Sequence, residues 1–298
     1  MPTASANGIS LEYETLGDPD HPVILLIMGL GMQLVAWPDA FCAQLAAKGF
    51  RVIRFDNRDI GLSTSFDISG VPNLITTYLK FLVHLPLNAP YLIDDMAADS
   101  AGLLDALGVE RAHVVGASMG GMIAQNLAAR HPARVLSLTS MMSTTGRRGL
   151  PGPTFKARAA LMHPPAHPGD IEGAVARMMN VFRAIGSPGY AEDEAILHQF
   201  CERHVRRAYQ PAGTARQMLA IAASGDRTGV ISTIRAPTLV LHGAADPLVP
   251  PPCGEETARV IPNAKLIMIE GMGHDLPSVL HTRLAEEIVA HCRGIGPQ

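Results

Sequence analysis

Short runs of apolar, mostly β-branched or leucine residues recur along the chain, separated by stretches in which apolar positions return every three or four residues. The short runs predict strands over residues 9–15, 23–28, 51–55, 113–117, 135–141, 238–242 and 265–269. The first alternates apolar with polar positions, as an antiparallel strand does. The others are close to continuously apolar, the pattern of parallel strands covered on both faces. Between them the 3.6-residue period predicts helices over 38–48, stopped by Gly49, over 94–107, stopped by Gly108, over 119–131, stopped by Pro132, and over 276–292. Strands alternating with helices predict an α/β fold with a mostly parallel sheet flanked by helices.

Two intervals break this alternation. Residues 146–235 contain no convincing strand, but Ile171, Val175, Met178, Met179, Phe182 and Ile185 lie on one helical face, and helical stretches follow over 192–208 and 214–223. That pattern predicts a helical cap over 146–235 inserted into a core formed by 1–145 and 236–298. The second interval, 66–93, is long for a connection, and its stretch 74–87 is apolar enough to need cover. It is expected to act as an additional cap or lid segment, or as a contact in a homodimer.

Composition narrows the class. Apolar residues make up 47% and charged residues 17%, too apolar for a disordered chain, and a net charge of −3 gives no basic stripe for nucleic acid. The longest run without a polar side chain, residues 23–32, is about half the length of a membrane span. The first eight residues lack the basic flank and apolar stretch of a secretory leader, which leads us to expect a cytoplasmic protein. Cys42, Cys201, Cys253 and Cys292 are scattered without a CxxC pair and are expected to be reduced and mostly buried.

The chemistry concentrates at Gly116-Ala117-Ser118-Met119-Gly120, followed by Gly121, between a predicted strand and a predicted helix. Small residues flanking a serine at this junction allow the tight, strained turn that lifts a nucleophile above the sheet edge. A serine needs a base, and the base needs an acid to orient it. Both occur downstream in the order this turn requires, Asp246 after strand 238–242 and His274 after strand 265–269. Residues 136–146 offer no acid, Asp226 precedes its strand, and Asp275 adjoins the base and should point away.

Developing negative charge on a substrate oxygen needs donors. The backbone N–H of Met119, directly after Ser118, and that of Leu30, in the loop after strand 23–28, are the expected pair. Met141, Met178 and Met179 are candidates for an adaptable apolar wall around substrate. The remaining histidines carry less: Pro164 and Pro165 interrupt the spacing of His163 and His167, His242 reads as a structural hydrogen-bonder, and His281 and His291 are expected at the surface of the last helix. No ligand cluster calls for a metal or cofactor.

A rival reading uses Gly29-Leu-Gly31 after a strand and Asp56 at the end of the next, the outline of a dinucleotide site. Leu34 stands where a third small residue belongs, and the helix cannot start before Trp37-Pro38, so the loop is too long for that turn.

With Met28-Gly29, Trp37-Pro38-Asp39, Asp56-Asn-Arg58-Asp59-Ile-Gly61-Leu-Ser63, the serine turn and Gly271-Met-Gly-His274-Asp-Leu-Pro277-Ser278, the chain resembles α/β-hydrolase fold serine esterases of the aclacinomycin methylesterase type. The likeness extends from about residue 17 to 291. It implies Ser118, His274 and Asp246 as a catalytic triad, Leu30 and Met119 as oxyanion donors, and hydrolysis of small to medium or methyl esters through an acyl-enzyme, without cofactor. C–C bond hydrolases and cofactor-free perhydrolases use the same triad, and a non-catalytic small-molecule receptor on this scaffold is the alternative from another class. Three departures stand out: Leu30 replaces a Gly of the methylesterase pattern, residues 71–91 are longer, and the cap resembles that of the family only weakly; Arg58-Asp59, where most relatives carry Arg-Gly, marks a subgroup with no evident chemistry.

Overall fold

The computed structural model describes residues 2–83, 85–164, 166–167 and 169–294. His84 of the expected lid segment and Pro165 of the expected cap lie outside the described residues. Among the described residues eight strands form one sheet: β1 (Thr3–Ala6), β2 (Ile9–Leu16), β3 (Val23–Ile27), β4 (Arg51–Phe55), β5 (Ala112–Ala117), β6 (Val135–Met141), β7 (Thr238–Gly243) and β8 (Lys265–Ile269). Their spatial order is β1-β2-β4-β3-β5-β6-β7-β8, antiparallel at β1-β2 and β2-β4 and parallel elsewhere. The seven strands expected from the sequence are all present. The eighth, β1, is polar and short, and only its turn advertises it: Asn7 and Gly8 both take positive φ, 50° and 78°, the two-residue geometry that closes a hairpin.

Among the described residues eleven helices accompany the sheet: α1 (Asp39–Ala47), α2 (Leu74–Leu82), α3 (Ile93–Ala106), α4 (Met119–Arg130), α5 (Phe155–Met162), α6 (Ile171–Ile185), α7 (Glu194–Arg207), α8 (Pro211–Ser224), α9 (Thr228–Ile231), α10 (Pro251–Val260) and α11 (His281–Arg293). The period-two geometry of the central strand β3 divides its side chains between two cores. Leu25 and Ile27 pack with α3 and α4 on one face, while Ile24 and Leu26 pack with α1 and α11 on the other. Because both faces are covered, all five residues of β3 are buried.

Helices α5 to α9 occupy the interval between β6 and β7, where no strand was expected. α6 and α7 share a third apolar cluster, built from Ala174, Val175, Met179, Cys201 and Val205 and distinct from the two cores of the sheet. The insertion therefore has its own small core. The last helix starts later than its apolar period suggests, because Pro277 is extended at φ −63° and ψ 140° and a 3₁₀ turn, Ser278–Leu280, precedes it. All four cysteines are free and buried, as expected. Among the described residues, no helix is long and apolar enough to cross a membrane.

Candidate active site

Ser118 stands at the junction of β5 and α4 with φ 57° and ψ −120°, a conformation that L residues hold only when their surroundings impose it. The surroundings do so by contact. A Cβ on Gly116 would lie 2.1 Å from the Gly120 carbonyl oxygen, and one on Gly120 would lie 2.0 Å from that of Ile27. Only glycine at both positions lets the start of α4 settle onto the ends of β3 and β5. The Ser118 amide donates to Met141 O (2.9 Å), tying the turn to β6.

Two loops complete the arrangement. After β7, Asp246 Oδ1 accepts from the Leu248 and Val249 amides, each at 2.8 Å, which leaves Oδ2 facing His274 Nδ1 at 2.7 Å. After β8, His274 Nε2 lies 2.9 Å from Ser118 Oγ. The three side chains, 28 and 156 residues apart, thus form one continuous hydrogen-bonded line. The insertion grips the histidine loop: the His274 amide donates to Ile185 O (2.8 Å) at the end of α6, and the Asp275 carboxylate accepts from the Ser187 hydroxyl and amide. Asp275 thus points away from the imidazole, as expected. Burial holds its carboxyl above the usual range. Asp226 lies elsewhere, exposed and accepting from Thr228.

The loop after β3 runs past Ser118. A Cβ on Gly29 would meet Ser118 Cβ at 3.0 Å and its Oγ at 3.6 Å, so the loop packs against the serine at Gly29. Among the described residues, the amides of Leu30 and Met119 donate no hydrogen bond. A line of hydroxyl, imidazole and carboxylate beside two uncommitted amides can take a proton from an oxygen nucleophile and hold a developing oxyanion.

The alpha/beta hydrolase fold family matches residues 22–177, just over half of the chain, across β3, the Ser118 turn and the first insertion helices. The chain belongs to the α/β hydrolases. A second family, described as TAP-like protein, matches residues 205–289. The hydrolase is 33% identical to rhodomycin D methylesterase DauP of Streptomyces sp. (strain C5), over 98% of this chain and 99% of that protein. It is 32% identical to rhodomycin D methylesterase DnrP of Streptomyces peucetius, over 98% and 99%. In fold it is similar to the esterase RhEst1 of Rhodococcus sp. ECU1013, with a TM-score of 0.75, 22% identity and coverage of 99% and 98%.

Met178 and Met179 pack with the apolar cluster of α6 and α7, and Met141 is fully buried at the end of β6. Two expectations about histidines need correction in this hydrolase. His281 is buried, with Nε2 3.0 Å from Leu276 O, and half-buried His291 reaches Leu138 O and Pro237 O. Neither is a plain surface residue: His281 sits edge-on to the Phe41 ring of α1, and His291 lies where the last helix meets β6. His242 is the structural hydrogen-bonder expected, with Nε2 2.8 Å from Val249 O. The dinucleotide reading fails on Asp56: its carboxylate is buried and already taken by the Leu34 and Leu62 amides and by Arg207.

Asp59 is the residue that sequence reasoning undervalued. It holds a positive φ, 71°, a conformation that favours glycine, and adds a fully buried carboxylate. Arg216 of α8 binds it with Nε to Oδ2 at 2.8 Å and Nη2 to Oδ1 at 2.7 Å, and the Tyr91 hydroxyl donates to it at 2.6 Å. Burial, reinforced by that carboxylate, pushes the Tyr91 phenol up from its usual value. The signal in the sequence was an acid where the backbone favours glycine.

Proposed function

We propose that this α/β hydrolase is a serine carboxylesterase with Ser118 as nucleophile, His274 as general base and acid, and Asp246 as the group that orients the imidazole. The observation carrying this reading is the line Ser118 Oγ, His274 Nε2, His274 Nδ1, Asp246 Oδ2, with both links under 3 Å. In the first step His274 takes the Ser118 proton while Oγ attacks the ester carbonyl carbon. The electron pair displaced onto the carbonyl oxygen is met by the N–H groups of Met119 and Leu30. Collapse of the tetrahedral species breaks the bond to the alcohol, which leaves with the proton from His274. Water then gives a proton to His274 and attacks the acyl-enzyme, and the acid departs as Ser118 is restored.

Esters of small to medium size, methyl esters included, are the substrate class; likeness to rhodomycin D methylesterases over nearly the full length favours the methyl ester. In this reading residues 146–235 form the cap over the site, residues 66–93 contribute a lid segment, and buried Met141 backs the site rather than lining it. The test is hydrolysis of p-nitrophenyl acetate and of a panel of methyl esters. Ser118→Ala and His274→Ala should each lower kcat by several orders of magnitude with the fold kept. Full activity in Ser118→Ala would overturn the reading.

A further inference from the structure

Between Met28 and Leu34 the loop beside Ser118 is held from outside at Met28, Gly31, Gln33 and Leu34. Asn57 Nδ2 donates to Met28 O (2.9 Å), and the Leu34 amide donates to Asp56 Oδ1 (2.7 Å). Gln33 Nε2 donates to His204 O and Ala208 O, both at 2.8 Å. Gly31 is held at both ends of its own residue: its amide donates to Gln217 Oε1 at 2.9 Å, and its carbonyl lies 3.4 Å from His204 Nε2. Gly31 has φ 69°, and a Cβ there would strike Thr214 at 2.9 Å, so the loop is pressed against α8.

Gln217 is fully buried and uses both ends of its amide. Its Nε2 donates to Arg58 O at 2.8 Å while Oε1 receives Gly31. The preceding residue, Arg216, fixes where α8 lies: it binds Asp59 through two nitrogens, Asp67 at 2.8 Å and Gly70 O at 2.8 Å. A Cβ on Gly213, one turn earlier, would overlap Asp59 O at 1.9 Å, so helix and loop are in direct contact.

From this geometry we infer that Gln217 is a positioning residue for ester hydrolysis: it fixes the Gly31 peptide, and through it the neighbouring Leu30 N–H, at the place where the oxyanion forms. Arg216 and Asp59 hold the helix from which it acts. The inference rests on Leu30 and Met119 serving as the oxyanion donors. Preorganised donors contribute because they need no rearrangement at the moment of reaction, and a shift of about 1 Å in such a group can cost roughly a hundredfold in rate. An insertion helix thereby sets the rate of the chemistry and not only the fit of the substrate.

The test is Gln217→Met, which keeps the length and apolar volume of the side chain and removes both hydrogen bonds. With p-nitrophenyl acetate, kcat should fall about 10- to 100-fold while KM stays within about twofold. The affinity of an alkyl trifluoromethyl ketone, which adds Ser118 to form a tetrahedral oxyanion, should fall by the same factor. A residue that merely stabilises the fold would lower the melting temperature without this parallel loss. Should Gln217→Met fail to fold, Gln217→Asn, which keeps an amide but is one methylene too short to bridge Gly31 and Arg58, carries the same expectation. The inference is overturned if kcat stays within twofold of the parent, or if kcat falls while ketone affinity does not. Ser118→Ala is run beside it: an active Ser118→Ala defeats the serine esterase reading itself, whereas an inactive one with a fully active Gln217→Met defeats only the role given to Gln217.

Discussion

Gly29 lies in contact with Ser118: a Cβ there would stand 3.0 Å from the Ser118 Cβ and 3.6 Å from its Oγ. Such an approach is a few tenths of an ångström too close, so the serine or the loop must shift to relieve it. Gly29→Ala should therefore leave the melting temperature within a few degrees and lower kcat for p-nitrophenyl acetate about tenfold or more, through displacement of reacting atoms. Steady-state kinetics beside a thermal melt checks it, and unchanged kcat would mean that the loop gives way.

Asp246 and Asp226 make opposite predictions. Asp246→Asn removes the charge facing His274 Nδ1 and should lower kcat by about a thousandfold or more, with a smaller effect than Ser118→Ala. Asp226, exposed and accepting from Thr228, lies apart from the Ser118–His274–Asp246 line, so Asp226→Asn should leave kcat within twofold. Comparison of the two rates decides which acid serves the histidine.

The pair of Asp59 and Arg216 sets two energies against each other. Positive φ at Asp59 costs about 1–2 kcal/mol that glycine would not incur, whereas removing one partner of a buried ion pair costs about 3–5 kcal/mol. The second term is larger, so Asp59→Gly should destabilise the protein despite its better backbone. Urea unfolding of Asp59→Gly and Asp59→Asn measures this, and a more stable glycine variant would reverse the ranking.

Helix α2 and its flanks leave Val71, Ile75, Leu79 and Val83 largely exposed. If these residues close over bulky substrates, replacing residues 71–89 with a short Gly-Ser linker should raise KM for long or bulky esters much more than for acetate. Reaction of Ser118 with a sulfonyl fluoride should persist. Equal losses for all esters with a lowered melting temperature would make the segment structural.

Acid should destabilise the fold partly through two histidines. Burial lowers the pKa of His113 and of His204 from 6.5 to about 4, so both remain neutral in the folded chain while the unfolded chain takes up protons. The unfolded state binds more protons between these limits, so stability falls as pH drops from about 6.5 to about 4 and is unaffected by these groups below that. Each contributes a slope of up to about 1.4 kcal/mol per pH unit. Asp56, Asp99 and Asp275, raised by burial, act in the opposite sense, so the comparison is with His113→Gln, in which they cancel. The variant should show a flatter dependence of unfolding free energy on pH over this window.

What was legible in the sequence follows from range. The seven strands and the helix after Ser118 are written in local periodicity, and the order serine, acid, base is written in chain order. Ser118, His274 and Asp246 could be singled out because each follows a readable strand within a few residues. Asn7-Gly8 also carried a local signal for β1, though its strand is too short and polar to be noticed by hydropathy. Pro250-Pro251-Pro252 likewise marks the start of α10, whose single buried face lies in a stretch with few apolar residues. The contacts of Gln217 with Gly31 and of Arg216 with Asp59 bridge 186 and 157 residues. No period encodes such a pairing, and a glutamine on a helix reads as solvated until the fold places a loop against it. Met178 and Met179 carry a related ambiguity: apolar residues at helical spacing fit a core or a binding wall equally well.

The four cysteines have a practical consequence. All are buried, and burial lifts the thiols of Cys42, Cys201 and Cys292 to about 12 and raises that of Cys253. Thiolate is the species that alkylates, so the native chain presents a nearly silent background to maleimide reagents. A cysteine pair introduced at exposed Ile196 on α7 and exposed Val279 beside α11 would carry a donor and an acceptor dye without removal of any native residue. The separation of the insertion from the sheet could then be followed in single molecules during turnover.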